Sequence, residues 1–236
     1  MTDRFLFPPI ERTQDKYPCL LFNGTSTTVD CGSDSGLDDL PSGAVITLDV
    51  WFRPEDLSAQ RVIACKGDYA DAGFYLWHSA SGELYFTVIG ATNPNHIVVD
   101  ISAYENQWIH AAGYFDDSTK TANLAVNGTW DGATADAGMG AYVADAALNF
   151  YIGRQSDALA RFFDGKIGWV RLSDSDRYGG ASDTGFTVPG RYPAPATDVH
   201  TIEQWNLDDK MGTTAAAQVS SPTNDGTIAN GTWLIA

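Results

Sequence analysis

The chain is poor in cysteine, histidine and positive charge, and it contains no long apolar run. Its three cysteines, Cys19, Cys31 and Cys65, are an odd number with no close-spaced pair. That excludes a disulfide framework and a cysteine-based zinc site. A Cys19–Cys31 bridge across adjacent strands stays open, although buried free thiols are the simpler expectation. No apolar stretch approaches ~18 residues, so no membrane-spanning helix is expected. The apolar part of Met1–Pro9 is too short for an export signal and is stopped by Pro8 and Pro9. With no export signal and no disulfide framework, folding in a reducing cytoplasm is expected. Lysine and arginine total 14 against 30 acidic residues, a net charge of −16. Such a surface repels phosphate backbones and anionic bilayers, so neither nucleic acid nor membrane insertion is expected. It suits a neutral glycan, a basic partner or divalent cations, and it also serves solubility alone.

Helical periodicity is missing as well: no stretch of ten or more residues keeps apolar positions on one helical face. Short apolar runs separated by glycine, asparagine and aspartate take its place, which predicts strands and tight turns. Cys19–Phe22 and Thr27–Cys31 flank a turn at Asn23-Gly24. Ala44–Phe52 reads as a central strand stopped by Pro54. Gly73–Trp77 and Glu83–Ile89 form a hairpin about Ala80-Ser81-Gly82. Trp108–Phe115 pairs with Thr121–Val126, and Asn127-Gly128 is the strongest hairpin turn, because both of its central residues need φ > 0. Leu148–Gly153, Gly165–Leu172, Thr201–Leu207, Thr227-Ile228 and Trp233–Ile235 complete the strands. Asp174–Tyr178 reads as one helical turn, and Gly179–Thr197 as a Gly/Pro loop. Only about forty residues follow that loop, too few for an independent core. The expected organisation is an extended arm over residues 1–17 and one β-domain over 18–236.

Several stretches resemble the concanavalin-A-like, laminin-G-like jelly-roll superfamily. Ile46-Thr47-Leu48-Asp49-Val50-Trp51-Phe52-Arg53-Pro54 looks like its T-apolar-acid-x-Trp strand. Trp108-Ile109-His110-Ala111-Ala112-Gly113-Tyr114-Phe115-Asp116 looks like its W-x-H-x-A-G-x-x-D strand. Asn123–Gly128 looks like the hairpin that follows, and Leu148–Gly153 with Phe163–Leu172 like its closing pair. Glu203–Thr214, with Asn224–Ile228 and Trp233, is similar to a segment near the edges of these domains. The resemblance covers most of residues 19–235. It implies an all-β, two-sheet antiparallel jelly-roll sandwich, and it leaves function open, because this fold hosts lectins, hydrolases, adhesion modules and structural proteins.

Glycoside hydrolysis needs two placed carboxylates, and hydrolases of this fold usually carry them as E-x-D-x-E on one strand. No such triplet exists here: Glu11, Glu55, Glu83, Glu105 and Glu203 are isolated. H-E-x-x-H, G-x-S-x-G and a phosphate loop are absent too. Asp183-Thr184-Gly185-Phe186-Thr187 is similar to a sialidase Asp-box, but Val188 stands in place of its tryptophan and no repeat follows, so a turn is expected. The triplets at Asn23, Asn127 and Asn230 match the glycosylation acceptor pattern and are read as turns. No catalytic residue is assigned. His110, inside its strand, is expected to be a hydrogen-bonded core residue. Glycan binding would need exposed aromatics with nearby hydrogen-bonding groups. Trp51, Trp108 and Trp205 lie in framework strands, and the core is expected to take them. That leaves Tyr75, Trp77, His78 and Trp130 as candidates. Alternation puts Tyr75 and Trp77 on one face, either core or ligand groove. Relatives often hold a structural Ca²⁺ between acidic loops; Asp164, Asp208, Asp209, Asn224 and Asp225 are the oxygen donors available for one, with solvated turn aspartates as the alternative.

Domains of this resemblance usually work outside a cell, whereas this chain shows no export signal and unpaired cysteines. A phage virion component reconciles the two: a decoration, tail or fibre protein made in a host cytoplasm. It would dock through the Thr2–Tyr17 arm, form homo-oligomers, contact other virion proteins and bind surface glycans. A free-standing extracellular lectin-like module is the alternative, and a hydrolase with an unrecognised carboxylate pair comes third.

Overall fold

Aromatic and β-branched residues in short alternating runs, cut by corners that favour positive φ, direct the backbone into sheets. The computed structural model describes residues 16–68, 71–146, 148–156, 161–220 and 223–234. Among these the strands, in chain order, are β1 (Cys19–Asn23), β2 (Thr28–Asp30), β3 (Val45–Pro54), β4 (Arg61–Asp68), β5 (Ala72–His78), β6 (Glu83–Ile89), β7 (Pro94–Asp100), β8 (Ile109–Asp116), β9 (Thr121–Val126), β10 (Thr129–Trp130), β11 (Thr134–Ala135), β12 (Phe150–Ile152), β13 (Asp164–Ser173), β14 (Thr201–Trp205), β15 (Thr214–Ala215), β16 (Gly226–Ala229) and β17 (Thr232–Leu234). One short 3-10 turn, Ser102–Tyr104, follows β7. No helix among the described residues is long and apolar enough to cross a membrane.

The strands form two antiparallel sheets, as a jelly-roll sandwich requires. The nine-stranded sheet runs β10-β9-β8-β3-β13-β1-β17, with β11 also on β9 and β14 also on β13. The eight-stranded sheet runs β15-β16-β2-β12-β4-β5-β6-β7. Inward side chains of both, among them Leu48, Val50, Phe52, Phe74, Leu76, Phe86, Phe150, Ile167 and Trp205, make the main core. Trp205 lies flat on Phe150, with ring centroids 4.9 Å apart. Gly113 of β8 lets the sheets approach: a Cβ there would sit 2.4 Å from the Phe86 ring. Gly113→Ala is therefore expected to cost about 1–3 kcal/mol by overpacking, measurable as a lower urea midpoint at unchanged slope.

The expected strands are found, and several pairings differ. Asn23-Gly24 is a turn, with the Asn23 carboxamide oxygen accepting from the backbone of Thr25, Ser26 and Thr27. It joins strands of different sheets, so Cys19 and Cys31 lie in opposite layers; all three cysteines are buried and none forms a disulfide. The expected closing pair is also split, because β12 belongs to one sheet and β13 to the other. Residues 174–178 bend without a helical turn. The first and last strands meet, since β1 pairs with β17. Of the expected arm, residues 1–15 lie outside the described residues. Tyr17, at its end, stacks on Tyr192 at 5.4 Å.

The Gly/Pro loop after β13 forms a third layer. It crosses the outer face of the nine-stranded sheet, where side-chain donors hold its carbonyls: Trp130 Nε1 to Tyr178 (3.2 Å), Asn123 Nδ2 to Gly180 (2.9 Å), Trp51 Nε1 to Pro189 (2.9 Å) and Trp169 Nε1 to Gly190 (3.2 Å). This strap explains why β3 reads as continuously apolar and is buried on both faces. It also places Trp51 and Trp108 outside the core, half-buried at the strap. Beneath it lies a polar network. The Asp49 carboxylate accepts from Arg171 Nε (3.1 Å) and Nη2 (2.8 Å) and from the Tyr178 hydroxyl (2.8 Å). His110 Nε2 lies 3.4 Å away. Burial pushes the Asp49 carboxyl up, but the His110 and Arg171 contacts outweigh it and hold it below the usual range.

Candidate functional site

The four residues expected to bind glycan fall in three separate places. Register puts Cys65, Tyr75, Thr87 and His96 in one row across the outer face of the eight-stranded sheet, with Val62, Trp77, Tyr85 and Val98 in the next. Tyr75 and Trp77 do share a face, as alternation requires. That face is not an open groove at these positions. Tyr75 is 0% exposed and its hydroxyl donates to the Ala72 carbonyl. Trp77 is 8% exposed, donates through Nε1 to Thr87 Oγ1 at 3.0 Å and stacks on Tyr85 at 4.1 Å. The loop between β11 and β12 covers this area, with Val143 packed on the cluster and its N–H bonded to the Ile89 carbonyl. His78 points the other way, into the main core, edge-on to Phe163. It is 0% exposed, and burial pushes its pKa down to about 4. Tyr75 and His78 therefore lie outside any solvent-facing site: the first is capped by a loop, the second is on the core face of β5.

Trp130 is no more exposed than Trp77, at 8%, but it borders a cleft. It sits at the edge of the nine-stranded sheet, on the hairpin that Asn127 (φ 50°) and Gly128 (φ 82°) turn. Gly128 is fixed by the strap as well: a Cβ would lie 2.4 Å from the Phe186 carbonyl, whose N–H donates to the Gly128 carbonyl. Asn127 Oδ1 accepts from the His110 N–H at 3.1 Å and ties the turn to β8. Opposite lies β7, the edge of the other sheet. Between the two edges is a cleft of about 300 Å³, at the small end for ligand sites. Its walls are Val99, Tyr104 and Asp100 from β7 and the turn after it, and Val126, Trp130, Asn127, Thr129 and Asp131 from the hairpin. Asp100 Oδ1 accepts from the Ser102 N–H at 2.8 Å, and hydrogen bonds from Ser102 hold its carboxyl below the usual range. The cleft thus joins the half-buried Tyr104 ring, the buried Trp130 packed on Phe186, an exposed carboxamide, a hydroxyl and two exposed carboxylates. Such a set can pack on the apolar face of a small polar ligand and hydrogen-bond its rim.

Tyr104, Asp100 and Asp131 are cleft residues that sequence reasoning missed. The nearest signal was Trp130 beside the Asn127-Gly128 turn. The partners across the cleft come from a strand that the sequence does not mark as its neighbour.

The expected calcium donors do not form one site. Asp164 opens β13, whereas Trp205, whose Nε1 bonds the Asn224 carbonyl, pairs with Val170. At about 3.4 Å per residue that is roughly 20 Å along the strand. Asp164 instead lies 3.6 Å from Arg61. Asp225 accepts from the Ala217 N–H (2.9 Å) and Asp209 from that of Ala216 (3.3 Å), so both serve as turn braces. Asn224 is buried, donating to Ser220 Oγ at 2.6 Å and Glu203 Oε2 at 3.3 Å. Burial pushes the carboxyls of Asp208 and Asp209 up. Among the described residues no group of three or more histidine, cysteine, aspartate or glutamate side chains could hold a metal ion. Calcium needs six to eight oxygens, and Asp164 lies too far from the other four donors to share one ion with them. Glu203 is the hub of the region: buried, it accepts from the N–H groups of Gln204, Val219 and Ser220. The Asp-box-like stretch is a turn, with Asp183 at φ 54° bonded to Ala133 N–H and Phe186 stacked on Tyr178 at 4.2 Å.

Comparison with known proteins places this architecture. A search of curated protein sequences finds no match. Among solved structures, a candidate carbohydrate-binding protein from Bacteroides ovatus superposes with a TM-score of 0.64 at 17% identity, over 92% of this chain and 59% of that one. This chain therefore spans about three-fifths of that protein. The CBM40 domain of the Ruminococcus gnavus IT-sialidase, solved with α2,3-sialyllactose, matches at a TM-score of 0.50 and 14% identity, over 67% of this chain and 94% of that one. At these identities the likeness is one of fold. The family profile described as the concanavalin A-like lectin/glucanases superfamily matches residues 23–178, from the corner after β1 to the start of the strap. By that match and by its two-sheet topology, the chain belongs to the concanavalin A-like lectin/glucanases superfamily.

Proposed function

We propose that this protein is a non-catalytic glycan-binding module whose ligand occupies the cleft between Tyr104 and Trp130. The observation that carries the reading is the cleft itself: the Tyr104 ring and the border of Trp130 beside a carboxamide, a hydroxyl and two carboxylates, between the edges of the two sheets. Sugars present alternating apolar faces and polar rims, which is the complement of such a lining. The names of the two structural relatives support the ligand class. The virion placement, the arm-mediated docking and the homo-oligomer expected from the sequence gain nothing from the fold or the matches.

A glycan array followed by calorimetry tests the reading. Tyr104→Ala and Trp130→Phe are each expected to weaken the best glycan roughly tenfold, about 1.4 kcal/mol, while Tyr85→Ala leaves it unchanged. Equal affinity in both cleft variants, with melting temperatures preserved, would remove the cleft from the reading. Turnover of a polysaccharide that Asp100→Asn or Asp131→Asn abolishes would overturn the non-catalytic part.

A further inference from the structure

We propose that the cleft selects glycans carrying a free, protonated amino group and rejects acidic ones; this rests on the glycan-binding reading above. The lining holds Asp100 and Asp131, both exposed, and no basic side chain. Directly across the β6–β7 ladder, Asp100 is paired with Glu83. Like charges opposite one another destabilise an antiparallel pair, and here neutral donors rather than cations meet them: the Ser79, Ser81 and Tyr85 hydroxyls on Glu83 and the Ser102 N–H on Asp100. Among the described residues no ion pair reaches Asp100, Asp131 or Glu83. The cations that pair serve elsewhere, among them Arg61 on Asp56, Lys66 on Asp38, Lys120 on Asp117, Lys166 on Glu55, Arg171 on Asp49 and Arg177 on Asp198. The cleft therefore carries negative charge that no cation among the described residues balances, beside the Tyr104 ring. A ligand ammonium meets both demands, since carboxylates pair with it and ring faces attract it. A sugar carboxylate, such as that of sialic acid, would enter against two like charges.

Calorimetry on the full chain tests the selection with three probes: a glucosamine tetramer, an N-acetylglucosamine tetramer and α2,3-sialyllactose, at a pH where the free amine is protonated. The glucosamine tetramer is expected to bind roughly tenfold tighter than its acetylated counterpart, with sialyllactose weakest. That preference should shrink in Asp100→Asn and in Asp131→Asn, and with added salt. Both positions are exposed, so folding is not at risk. If the acetylated tetramer binds as well or better, or if sialyllactose binds best, the selection is wrong while the glycan reading survives. A preference for the amine that persists in both variants is attraction to the acidic surface as a whole, and it also overturns the proposal. Binding of any probe that Tyr104→Ala leaves intact, or no binding of any glycan, would instead defeat the cleft reading on which it rests.

Discussion

Lys66→Met is expected to destabilise the protein by about 3–5 kcal/mol, the usual cost of removing one partner from a buried ion pair. Lys66 lies on β4, pairs with Phe150 and Phe74 in the ladder, and is 0% exposed. Its ammonium donates to Ser33 Oγ (3.1 Å), Asp38 Oδ1 (2.9 Å), the Asp145 carbonyl (3.3 Å) and the Leu148 carbonyl, with Asp145 Oδ1 at 3.7 Å. These acceptors belong to two loops, one after β2 and one before β12. The loops also exchange bonds directly: Asp39 N–H to Asp145 Oδ1 (2.8 Å) and Asp145 N–H to Asp39 Oδ1 (2.7 Å). Without the ammonium, the fully buried Asp145 carboxylate keeps no cation and two carbonyls lose a donor. Denaturant unfolding of the variant measures the loss. A change under about 1 kcal/mol, the range of an exposed pair, would mean that the lysine does not hold the loops together.

The second large effect is expected from pH. His78 on β5 is buried beside Phe163, with Nδ1–H donating to the Ser79 carbonyl at 3.1 Å and Nε2 without a hydrogen-bond partner. A second proton would place an N–H in the core with no acceptor. Burial accordingly depresses the pKa to about 4, and Arg61 lowers it further while Ser79 and Asp56 work against the shift. Because the folded value is depressed, the unfolded chain binds a proton between about pH 6.5 and about pH 4 that the folded chain does not. Stability is then fully present above pH 6.5 and lost as pH falls through that window, by about 3 kcal/mol over its width. His96 shares the window, its pKa also lowered by burial. The most depressed carboxylates, such as Asp56 at about 2, act below it. The comparison is therefore between wild type and His78→Met, whose stability should depend much less on pH between 6.5 and 4. Parallel curves would show that the folded chain protonates His78 as readily as the unfolded one, with no depressed pKa.

What could be read from the sequence was whatever depends on near neighbours. Alternation fixed the strands, and the φ requirement of Asn127-Gly128 fixed the hairpin that presents Trp130. Motif order identified the jelly roll. What could not be read depends on distant partners. Tyr75 looked as open to a ligand as Trp130, because the loop carrying Val143 is sixty-odd positions further on. Lys66 looked like an ordinary strand residue, since its acceptors lie 28 to 82 residues away. The Gly/Pro segment after β13 looked like a plain loop, yet the indoles of Trp51, Trp130 and Trp169 turn it into a layer. Asp164 and Asp225 looked like members of one acidic set, and the length of β13 keeps them apart. The cleft belongs to the same class, since β7 and β10 meet only because they end opposite sheets.

The most direct test of the cleft is a titration followed through the tryptophan indole N–H resonances, with Trp77 and Trp130 assigned by single Trp→Phe substitutions. Trp130 reports on the cleft, and Trp77 reports on the outer face of the eight-stranded sheet. With a bound glycan the Trp130 signal is expected to move and saturate while the Trp77 signal stays in place. Movement of Trp77 with Trp130 fixed would put the ligand on the sheet face and contradict the account.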